Sequence, residues 1–594
     1  MNLPPEENDR RNTLLLAGAI GLLALAMRLW GIEFGLPNVF CGVDENFSTP
    51  LAMRFGSGEL VPFNYSWPSL HSYMLFALYG VYYKLGSLLG SVQSAHDFQK
   101  LYFTDPQSFY IIGRYLSVAA GTASCLALFF LAKKACSLRT AVLAALFISL
   151  NFLHIRDSHY SRPDMIASFF MLLTFLRMLS LRTRKDYILT GILAGMTIAS
   201  KYQFGLVVIP ALAAHFLPGP DGEQRPFMSR LKDPSPLIML LSAFLVFFAA
   251  TPFTIIHLRT ALQHVIWAAD QEHFMRLYGF TSAFSFHFQY SFLQGMGLPL
   301  MLASLFGIIR ALRRPTRAGI LLLVLAAVNY LAITLTSGVY MRYAIPLLYP
   351  LFIFAAEAAD YLIGAVERRR LPGPLKKLFM LLLPAALLYQ PARKAIAYDW
   401  LLTQKDNRVV AAEWIEANIP DGSRLTFTTP WPADCPVLRQ TKESLSDDTR
   451  EIVTGYRHKF LLALPDYPRK PAYYITQLYE EGWVMLWYRG IKTDVKKLKA
   501  DIKAEKVDYI VSLEHYPGAL PNVSPQLTAL IGSSYTLYKE ILPYSGDAPP
   551  EPLFDEPSGY YLPCAGFERL LRPGPIIRIW KTSPPNAGKA RVLH

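Results

Sequence analysis

Long apolar runs fill the first two thirds of this 594-residue chain and constrain its fold more than any other feature. A helix needs about 20 mainly apolar residues to cross the hydrocarbon core of a bilayer. With 52% hydrophobic and only 17% charged residues, the chain is predicted to be a mainly α-helical, polytopic membrane protein. We expect about eleven transmembrane helices, near residues 12–30, 110–132, 140–155, 164–181, 187–200, 202–217, 235–256, 289–310, 318–336, 344–364 and 376–390.

The basic residues between these runs predict their orientation. Loops assigned to the cytoplasm contain KKACSLR, RTRK, RPFMSRLK, RALRRPTR and ERRRLPGPLKK, whereas the opposite loops are mixed in sign. The first run follows two arginines and lacks a cleavage site, so we expect a retained anchor with a cytoplasmic N-terminus in the inner (plasma) membrane. Residues 69–90 are assigned to a juxtamembrane helix on the outer face, because another span would reverse every later loop.

Beyond residue 390 the character of the sequence changes. The stretch DNRVVAAEWIEANIPDGSRLTFTT predicts a helix and then a strand, and VDYIVSL, SYTLYKEI and GPIIRIWKT predict further strands. We therefore expect a membrane module over residues 1–390 and a soluble α/β domain over residues 391–594 on the extracytoplasmic (periplasmic) side. Cys435 and Cys564 fall in this domain, where an oxidising compartment would permit a disulfide.

Several charged residues interrupt apolar sequence on the predicted outer face. Each by itself fits a helix cap or an interfacial anchor. Together they favour one outward-facing polar cavity, because charges near hydrocarbon are costly unless they are paired or used. In such a cavity Lys and Arg could hold a phosphate, and a carboxylate could accept a proton from an attacking hydroxyl or amine. The residues concerned are Asp44, Glu45, Arg156, Arg162, Asp164, Lys201 and Arg342.

Short motifs in a fixed order resemble the GT-C superfamily of membrane glycosyltransferases. They are VDEN, YSWPSLHSY, SHYSRPDM, ASKY, MRYAIPLLYP and DNRVVAAEWIEANIPDGSRL. The similarity is to the protein O-mannosyltransferase-like branch, which includes the lipid A aminoarabinose transferases.

The resemblance also implies roles for the charged residues. It points to Asp44 as general base or acceptor-orienting group with Glu45 beside it, and to Asp164 as the second-loop acid. Lys201 and Arg342, and more weakly Arg162 and Arg156, would surround the lipid-linked phosphate.

One motif departs from that family pattern. Relatives often carry Pro-Pro before the surface helix, whereas this chain has Trp67-Pro68-Ser69-Leu70-His71, and His71 could help to hold phosphate. A later outer loop, DQEHFMRLYG, offers Glu272, His273 and Arg276 as further substrate-contacting candidates, with a surface helix as the alternative.

These features predict an inverting glycosyltransferase that moves a sugar from a polyprenyl-phosphate carrier to an unknown acceptor at the extracytoplasmic membrane face. The expected partners are the lipid bilayer, the polyprenyl-phosphate donor and the unknown acceptor, and no basic-aromatic motif indicates nucleic-acid binding. We expect no required cofactor, although adjacent acids could hold a divalent cation. A transporter or lipid-linked sugar flippase is the main alternative, and a noncatalytic assembly or sensor role is another. The charges gather at one face and no internal repeat is visible, which favours the enzyme over the transporter.

Overall fold

The computed structural model of the protein describes residues 5–42, 44–220, 222–223, 226–270, 282–428, 435–447, 455–477, 500, 502–503, 506–514, 525–546, 550–555 and 561–582. The chain forms two compact units. The first contains Met1–Ile32, Asp44–Leu85 and Phe109–Trp400, and the second contains Glu33–Val43, Gly86–Ser108 and Leu401–His594. The second unit thus includes two segments that come from the N-terminal part of the chain.

Helices make up the first unit. Helix α4 (Ala95–Thr104) belongs to the second unit. The others are, in chain order, α1 (Pro5–Leu29), α2 (Glu45–Phe55), α3 (Leu70–Leu88), α5 (Gln107–Ala135), α6 (Leu138–Ser149), α7 (Phe152–Ser158), α8 (Asp164–Met178), α9 (Arg184–Ser200), α10 (Val208–Phe216), α11 (Phe227–Leu231), α12 (Ser235–Ala250), α13 (Pro252–Ile256), α14 (Leu258–Ala269), α15 (Ala283–Phe286), α16 (Leu298–Arg313), α17 (Arg317–Leu335), α18 (Ile345–Glu367) and α19 (Gly373–Leu402). Short 3-10 turns precede α10 and α18, at Tyr202–Val207 and Met341–Ala344.

Five helical segments of the described chain are long and apolar enough to cross a membrane. They are Asp9–Leu29, Gln107–Ala135, Phe227–Ala250, Arg317–Leu335 and Met341–Glu367. The number rises to seven if each of two bent helix pairs forms one span. The fold is therefore that of a mainly α-helical, polytopic membrane protein, as predicted, while the count of eleven spans stays a prediction. Helix α3 is not among these candidates, and its assignment to the membrane surface stays a prediction.

Two of the predicted spans are not single straight helices. The predicted span 140–155 is broken between α6 and α7 with a bend of 59°, because Asn151 leaves the helix and caps α7 by accepting from the backbone N–H of His154. The predicted span 289–310 is broken by 109° between a π-helical turn and α16. There Gly297 has a φ of 92°, a conformation that ends a helix and that glycine adopts without a steric penalty.

Small residues let neighbouring helices approach closely in the first unit. A Cβ atom at Gly191 or Gly195 of α9 would lie 2.3 Å or 2.5 Å from backbone carbonyl oxygens of α12. The two glycines form a G-x-x-x-G pattern, which is typical of tight helix pairs in membranes. Gly307 of α16 meets the backbone of α18 in the same way. These contacts help to fix the positions of α9 and α18, whose ends carry two residues of the site described below.

The described residues of the second unit form a five-stranded mixed sheet. Its strands are β1 (Arg424–Phe427), β2 (Tyr474–Gln477), β3 (Tyr509–Glu514), β4 (Tyr535–Ile541) and β5 (Ile576–Thr582), in the order β2-β1-β3-β5-β4. β1 pairs in parallel with β2 and β3, and β5 pairs antiparallel with β3 and β4. Its remaining helices are α20 (Asn407–Asn418), α21 (Lys442–Asp447), α22 (Gly455–Ala463) and α23 (Pro525–Ser534). The predicted helix and the four predicted strands are confirmed, and β2 is an addition.

A buried asparagine ties α20 to two other segments of this unit. The Asn407 side-chain amide donates to the carbonyl oxygens of Ile541 and Pro575, at 2.8 Å and 2.7 Å. We expect Asn407→Ala to destabilise the protein by about 2 kcal/mol, because two buried carbonyl groups lose their donor. Thermal unfolding of the second unit should show this loss. Asn418→Ala is the matched control, since Asn418 bonds to Trp414 in an exposed position and should change little. Equal midpoints for the two variants would contradict the assignment.

The predicted outer-domain cysteines do not form a disulfide. The structure holds the five cysteines of the described chain without a disulfide bond, and Cys435 and Cys564 are both buried. Sequence separation could not decide this question, because a disulfide requires proximity and a specific geometry in the fold.

Candidate active site

Asp44 stands immediately before α2, and its side chain pairs with Arg342 instead of capping the helix. One Asp44 carboxylate oxygen lies 3.0 Å from the Arg342 guanidinium, and Asp44 makes no side-chain cap bond. Its φ of 61° lies in the left-handed region, which costs a non-glycine residue roughly 1 kcal/mol or more. Strain of this kind is found at functional sites more often than elsewhere. The structure therefore does not support a simple helix cap at Asp44.

Asp164 and Lys201 form a second ion pair beside the first. Asp164 is fully buried at the start of α8, and Lys201, which ends α9, donates from Nζ to its Oδ1 atom. The ring centre of Tyr343 lies 5.2 Å from Lys201 Nζ and 5.9 Å from the guanidinium carbon of Arg342, so one ring contacts both cations. Arg342 is also close enough to Asp164 for their charges to interact. The structure thus brings Asp44, Asp164, Lys201 and Arg342 together, and the roles that the sequence assigned to them stay predictions.

Two further arginines share one buried carboxylate next to this cluster. Arg156 donates to Asp157 Oδ2 at 3.0 Å and 3.1 Å, and Arg162 donates to the Oδ1 atom. All three side chains are buried, and the guanidinium of Arg162 lies over the ring of Tyr160 at 4.5 Å. The charge of Arg162 also acts on Asp164. Both arginines that the resemblance placed more weakly near the phosphate thus lie at the edge of the cluster.

Cations and carboxylates lie side by side in the cluster. Among the described residues, the two ion pairs and the Arg156–Asp157–Arg162 group contribute four cations and three carboxylates. Asp164 Oδ2 is buried and has no hydrogen-bond partner among the described residues. Because buried polar atoms in proteins are nearly always hydrogen-bonded, such an atom marks a place where a ligand or water completes the site. The unsatisfied acceptor suits a ligand with a hydroxyl group, and the cations of the cluster suit a ligand with a negative charge.

Glu45, adjacent to Asp44 in sequence, is turned away into the protein interior. Its carboxylate is fully buried, receives two bonds of 2.8–2.9 Å from Arg114, and accepts from the backbone N–H of Ser161 at 2.8 Å. Arg114 in turn donates to the carbonyl of Ile32 at 2.9 Å. This network joins the segment after α1, helix α2 and helix α5 to the loop that precedes Asp164. Its burial favours a positioning role for Glu45 over the catalytic role that the sequence predicted.

His71 lies near Asp164 at the start of α3. The side chain is 2% exposed, its Nε2 atom is buried, and that atom has no hydrogen-bond partner among the described residues. Burial lowers the pKa of His71 to about 4, and the nearby charge of Asp164 only partly opposes this effect. The imidazole is therefore neutral near pH 7. It can donate a hydrogen bond to a ligand or accept one from it, but it has no positive charge that would attract a phosphate.

Part of the predicted site lies outside the described residues. Glu272, His273 and Arg276, the candidates of the later outer loop, are in this group, so their role stays a prediction. Within the described ranges no group of three or more His, Cys, Asp or Glu side chains is placed to hold a metal ion. The expectation that no metal is required has not been tested.

Sequence reasoning missed three contributors to the site. Arg114 is a charge inside an apolar helix, a pattern that by itself marks a structural or functional residue, so it could have been found. Asp157 was visible in the sequence but was not assigned to a pair. Tyr343 gave no signal, because an aromatic residue near a predicted membrane face is common.

Comparison with known proteins gives a match over one part of the chain. Residues 111–256 match the family model of dolichyl-phosphate-mannose-protein mannosyltransferases. A search of curated protein sequences finds no match. The matched segment contains α8 and α9, and with them Asp164 and Lys201.

Comparison with solved structures finds chains whose path is partly similar. The archaeal oligosaccharyltransferase AglB from Archaeoglobus fulgidus, in complex with an inhibitory peptide and a dolichol-phosphate, is 12% identical, with 85% of this chain and 70% of that chain covered and a TM-score of 0.47. ArnT from Cupriavidus metallidurans bound to undecaprenyl phosphate is 12% identical, with 97% and 99% covered and a TM-score of 0.45. The S. cerevisiae protein O-mannosyltransferase Pmt1-Pmt2 complex bound to the sugar donor is 19% identical, with 45% and 36% covered and a TM-score of 0.30.

At TM-scores this low, the superpositions identify no corresponding residues, so the site is interpreted from its own contacts. The family match is a separate observation and falls on the segment that carries SHYSRPDM and ASKY, two of the motifs quoted above. The resemblance predicted from the sequence is thus confirmed over residues 111–256: the chain resembles the GT-C membrane glycosyltransferases of the protein O-mannosyltransferase type.

Proposed function

We propose that the protein is an inverting glycosyltransferase that transfers a sugar from a polyprenyl-phosphate carrier to an acceptor at the extracytoplasmic membrane face. The observation that carries the proposal is the contact between Asp44 and Arg342 beside the Asp164–Lys201 pair. It puts a partly exposed carboxylate next to cations suited to a phosphate. The family match over residues 111–256 supports a lipid-phosphate sugar as donor.

Arg342 and Lys201 are suited to the charge of this donor. A polyprenyl-phosphate sugar is a phosphodiester with one negative charge. Arg342 offers a planar fork for two phosphate oxygens, and Lys201 offers a point charge. When the phosphate binds, it competes with Asp44 for Arg342. Donor binding thereby frees the carboxylate for the acceptor.

The reaction itself is a single displacement. The acceptor hydroxyl or amine attacks the anomeric carbon from the side opposite the phosphate, and the carbon–oxygen bond to the phosphate breaks. Asp44 takes the proton of the nucleophile, and polyprenyl phosphate departs with the bonding electron pair, held by Lys201 and Arg342. The attack inverts the anomeric configuration. General base assistance of this kind contributes about 10²–10⁴ to the rate.

The positions of the charged residues along the helices support a site at one membrane face. Arg342 lies just before α18, and Glu367 ends the same helix and pairs with Arg139 at 3.0 Å. Twenty-two helical steps separate the two ends of α18, or about 33 Å at the usual rise. The active-site end and the Arg139 end of the bundle are thus a membrane thickness apart. Because Arg139 belongs to a loop assigned to the cytoplasm, we place the active site on the outer face.

The direct test is sugar transfer by the purified protein. Protein in nanodiscs would be given polyprenyl-phosphate donors labelled in the sugar together with an envelope extract as acceptor source. We expect label to pass from the lipid fraction to an acceptor fraction with release of polyprenyl phosphate. Movement of intact donor across sealed vesicles without loss of its sugar would instead identify a flippase and overturn the proposal.

Loss of either cation should weaken the phosphate interaction. We expect Lys201→Ala and Arg342→Ala each to reduce affinity for undecaprenyl phosphate about tenfold or more, because each removes a charge-assisted bond from a partly dehydrated site. Microscale thermophoresis with the lipid in detergent measures this directly. Arg139→Ala, at the other end of the bundle, is the control and should bind like the wild type. Unchanged affinity in both site variants would return Lys201 and Arg342 to the role of interfacial anchors.

A further inference from the structure

An open apolar groove lies on the first unit, between the residue that follows α1 and the C-terminal half of α19. Its volume is about 680 Å³, which falls within the range of about 300–1,000 Å³ found for small-molecule sites. Trp30, Tyr389 and Trp400 supply aromatic rings, and alanine, leucine and isoleucine side chains of α19 supply most of the remaining surface. Arg393 is the one charged residue of the described lining. The groove therefore suits an apolar ligand with a single polar end.

Contacts behind the groove fix its two walls. Ala395 of α19 is fully buried and packs in one cluster with Met27 of α1 and Ile155 of α7. On the other wall, the carbonyl oxygen of Trp30 lies 2.9 Å from Nε2 of the buried His159. The groove is thus formed without a ligand, and a preformed site reduces the entropic cost of binding.

The position of the groove along α19 favours a lipid of the bilayer as its occupant. The predicted span 376–390 ends three residues before Arg393. Ala385 and Arg393 are eight residues apart on this helix, or about 12 Å at the usual rise. This distance is close to half of the hydrocarbon core, which is about 30 Å thick. An acyl chain that lies along this part of the groove brings its headgroup to the guanidinium.

The aromatic residues of the groove agree with this placement. Trp30 and Trp400 are 38% and 46% exposed, and both line the groove. Partly exposed tryptophan is typical of the membrane–water interface, where the ring contacts apolar chains and its N–H group reaches polar ones.

Arg393 indicates the charge of the headgroup. Its side chain is exposed, whereas that of the neighbouring Lys394 is turned inward and donates to the carbonyl oxygen of Gln294 at 2.6 Å. A guanidinium can bind two phosphate oxygens at once. The ammonium group of phosphatidylethanolamine would repel it, whereas the glycerol headgroup of phosphatidylglycerol leaves the phosphate charge uncompensated. Charge complementarity therefore favours an anionic phospholipid.

We propose that this groove is a binding site for an anionic phospholipid of the bilayer, with an acyl chain against α19 and the phosphate at Arg393. The inference does not depend on the proposed sugar transfer, since no residue of the ion-pair cluster lines the groove in the described structure.

The test compares lipids that differ in headgroup charge. The full-length protein would be released from nanodiscs of mixed phosphatidylglycerol and phosphatidylethanolamine, and its bound lipids would be counted by native mass spectrometry. We expect the wild type to retain phosphatidylglycerol in preference. Arg393→Gln should reduce this preference about fivefold or more, because a charged contact at the membrane surface is lost. Arg393→Lys keeps the charge and should keep most of the preference.

Two further variants separate the groove from general effects. Ala392→Trp places a large side chain in the groove and should reduce retention of both lipids. Arg259→Gln is the matched control, because Arg259 is also exposed but lies outside the described lining. It should retain phosphatidylglycerol like the wild type. Equal losses in Arg393→Gln and Arg259→Gln would overturn the inference, because net charge alone would then explain the preference.

Other occupants would give different results. Equal retention of the two phospholipids by the wild type would overturn the inference, as would a protein dimer that Ala392→Trp dissociates, since a second copy would then fill the groove. Arg393→Gln should leave the affinity for undecaprenyl phosphate unchanged, and a parallel loss would assign the groove to that lipid instead. A wild type that prefers phosphatidylglycerol but transfers no sugar would support this inference and count only against the proposed function.

Discussion

Asp44→Asn is expected to reduce sugar transfer at least about a hundredfold while the protein folds normally. The exchange keeps the shape of the side chain but removes its ability to accept a proton, and such assistance is worth about 10²–10⁴ in rate. It also removes the charge that pairs with Arg342, so affinity for undecaprenyl phosphate should stay the same or rise. Single-turnover transfer with a labelled donor, together with lipid binding, would show both effects.

The matched control for this experiment is Glu367→Gln. Glu367 also pairs with an arginine, but it is partly exposed at the opposite end of α18. Its loss should leave transfer unchanged. If folded Asp44→Asn retained wild-type turnover, Asp44 would have no part in proton transfer, and Asp164 would become the remaining candidate.

Glu45→Gln is expected to have a large effect of another kind, on stability. Removing one partner of a buried ion pair typically costs about 3–5 kcal/mol, because the other charge stays behind without compensation. Here the charge left behind would be Arg114, whose side chain is fully buried. We expect a clearly lower midpoint of thermal unfolding and a lower yield of folded protein. Fluorescence-detected size exclusion after heating measures both in detergent.

Glu59→Gln provides the comparison for Glu45. Glu59 pairs with Arg54, but both side chains are substantially exposed to solvent, and exposed pairs contribute little. The double variant Glu45→Leu with Arg114→Leu should be less damaging than the sum of its two single changes, because no buried charge is left unpaired. A Glu45→Gln protein as stable as the wild type, with transfer abolished, would restore Glu45 to the catalytic role.

The sequence predicted the class of fold from strong local signals, and it predicted that the charged residues lie together from the cost of leaving charges near hydrocarbon. The length of an apolar run, the basic residues of a loop and the alternation of a strand each reflect the solvent around one segment. They can therefore be recognised in the sequence without a structure. The sequence did not predict the breaks inside the apolar runs. Each break depends on a single asparagine or glycine, and both residue types also occur in unbroken helices. The sequence did not predict the short strand β2, because four residues are too few to show an alternation of apolar and polar side chains.

The division of labour among the acids could not be predicted from the sequence. Asp44 and Glu45 are neighbours, yet one faces the ion-pair cluster and the other faces a buried arginine. That difference depends on the backbone at Asp44 and on partners about 70 and 300 residues away, which a sequence pattern does not contain.

The left-handed backbone at Asp44 has a consequence for a saturation library at this position. Glycine, asparagine and aspartate tolerate such a φ, whereas β-branched and bulky residues do not. Asn and Gly variants should therefore accumulate to normal cellular levels and yet be inactive, while Val, Ile and Thr variants should be depleted by quality control before their chemistry matters. Even glutamate, which keeps the charge, should rank below asparagine in abundance. Abundance and activity would then rank the same substitutions in different orders. A screen that scores only growth could not distinguish variants that lack the backbone conformation from variants that lack the proton acceptor.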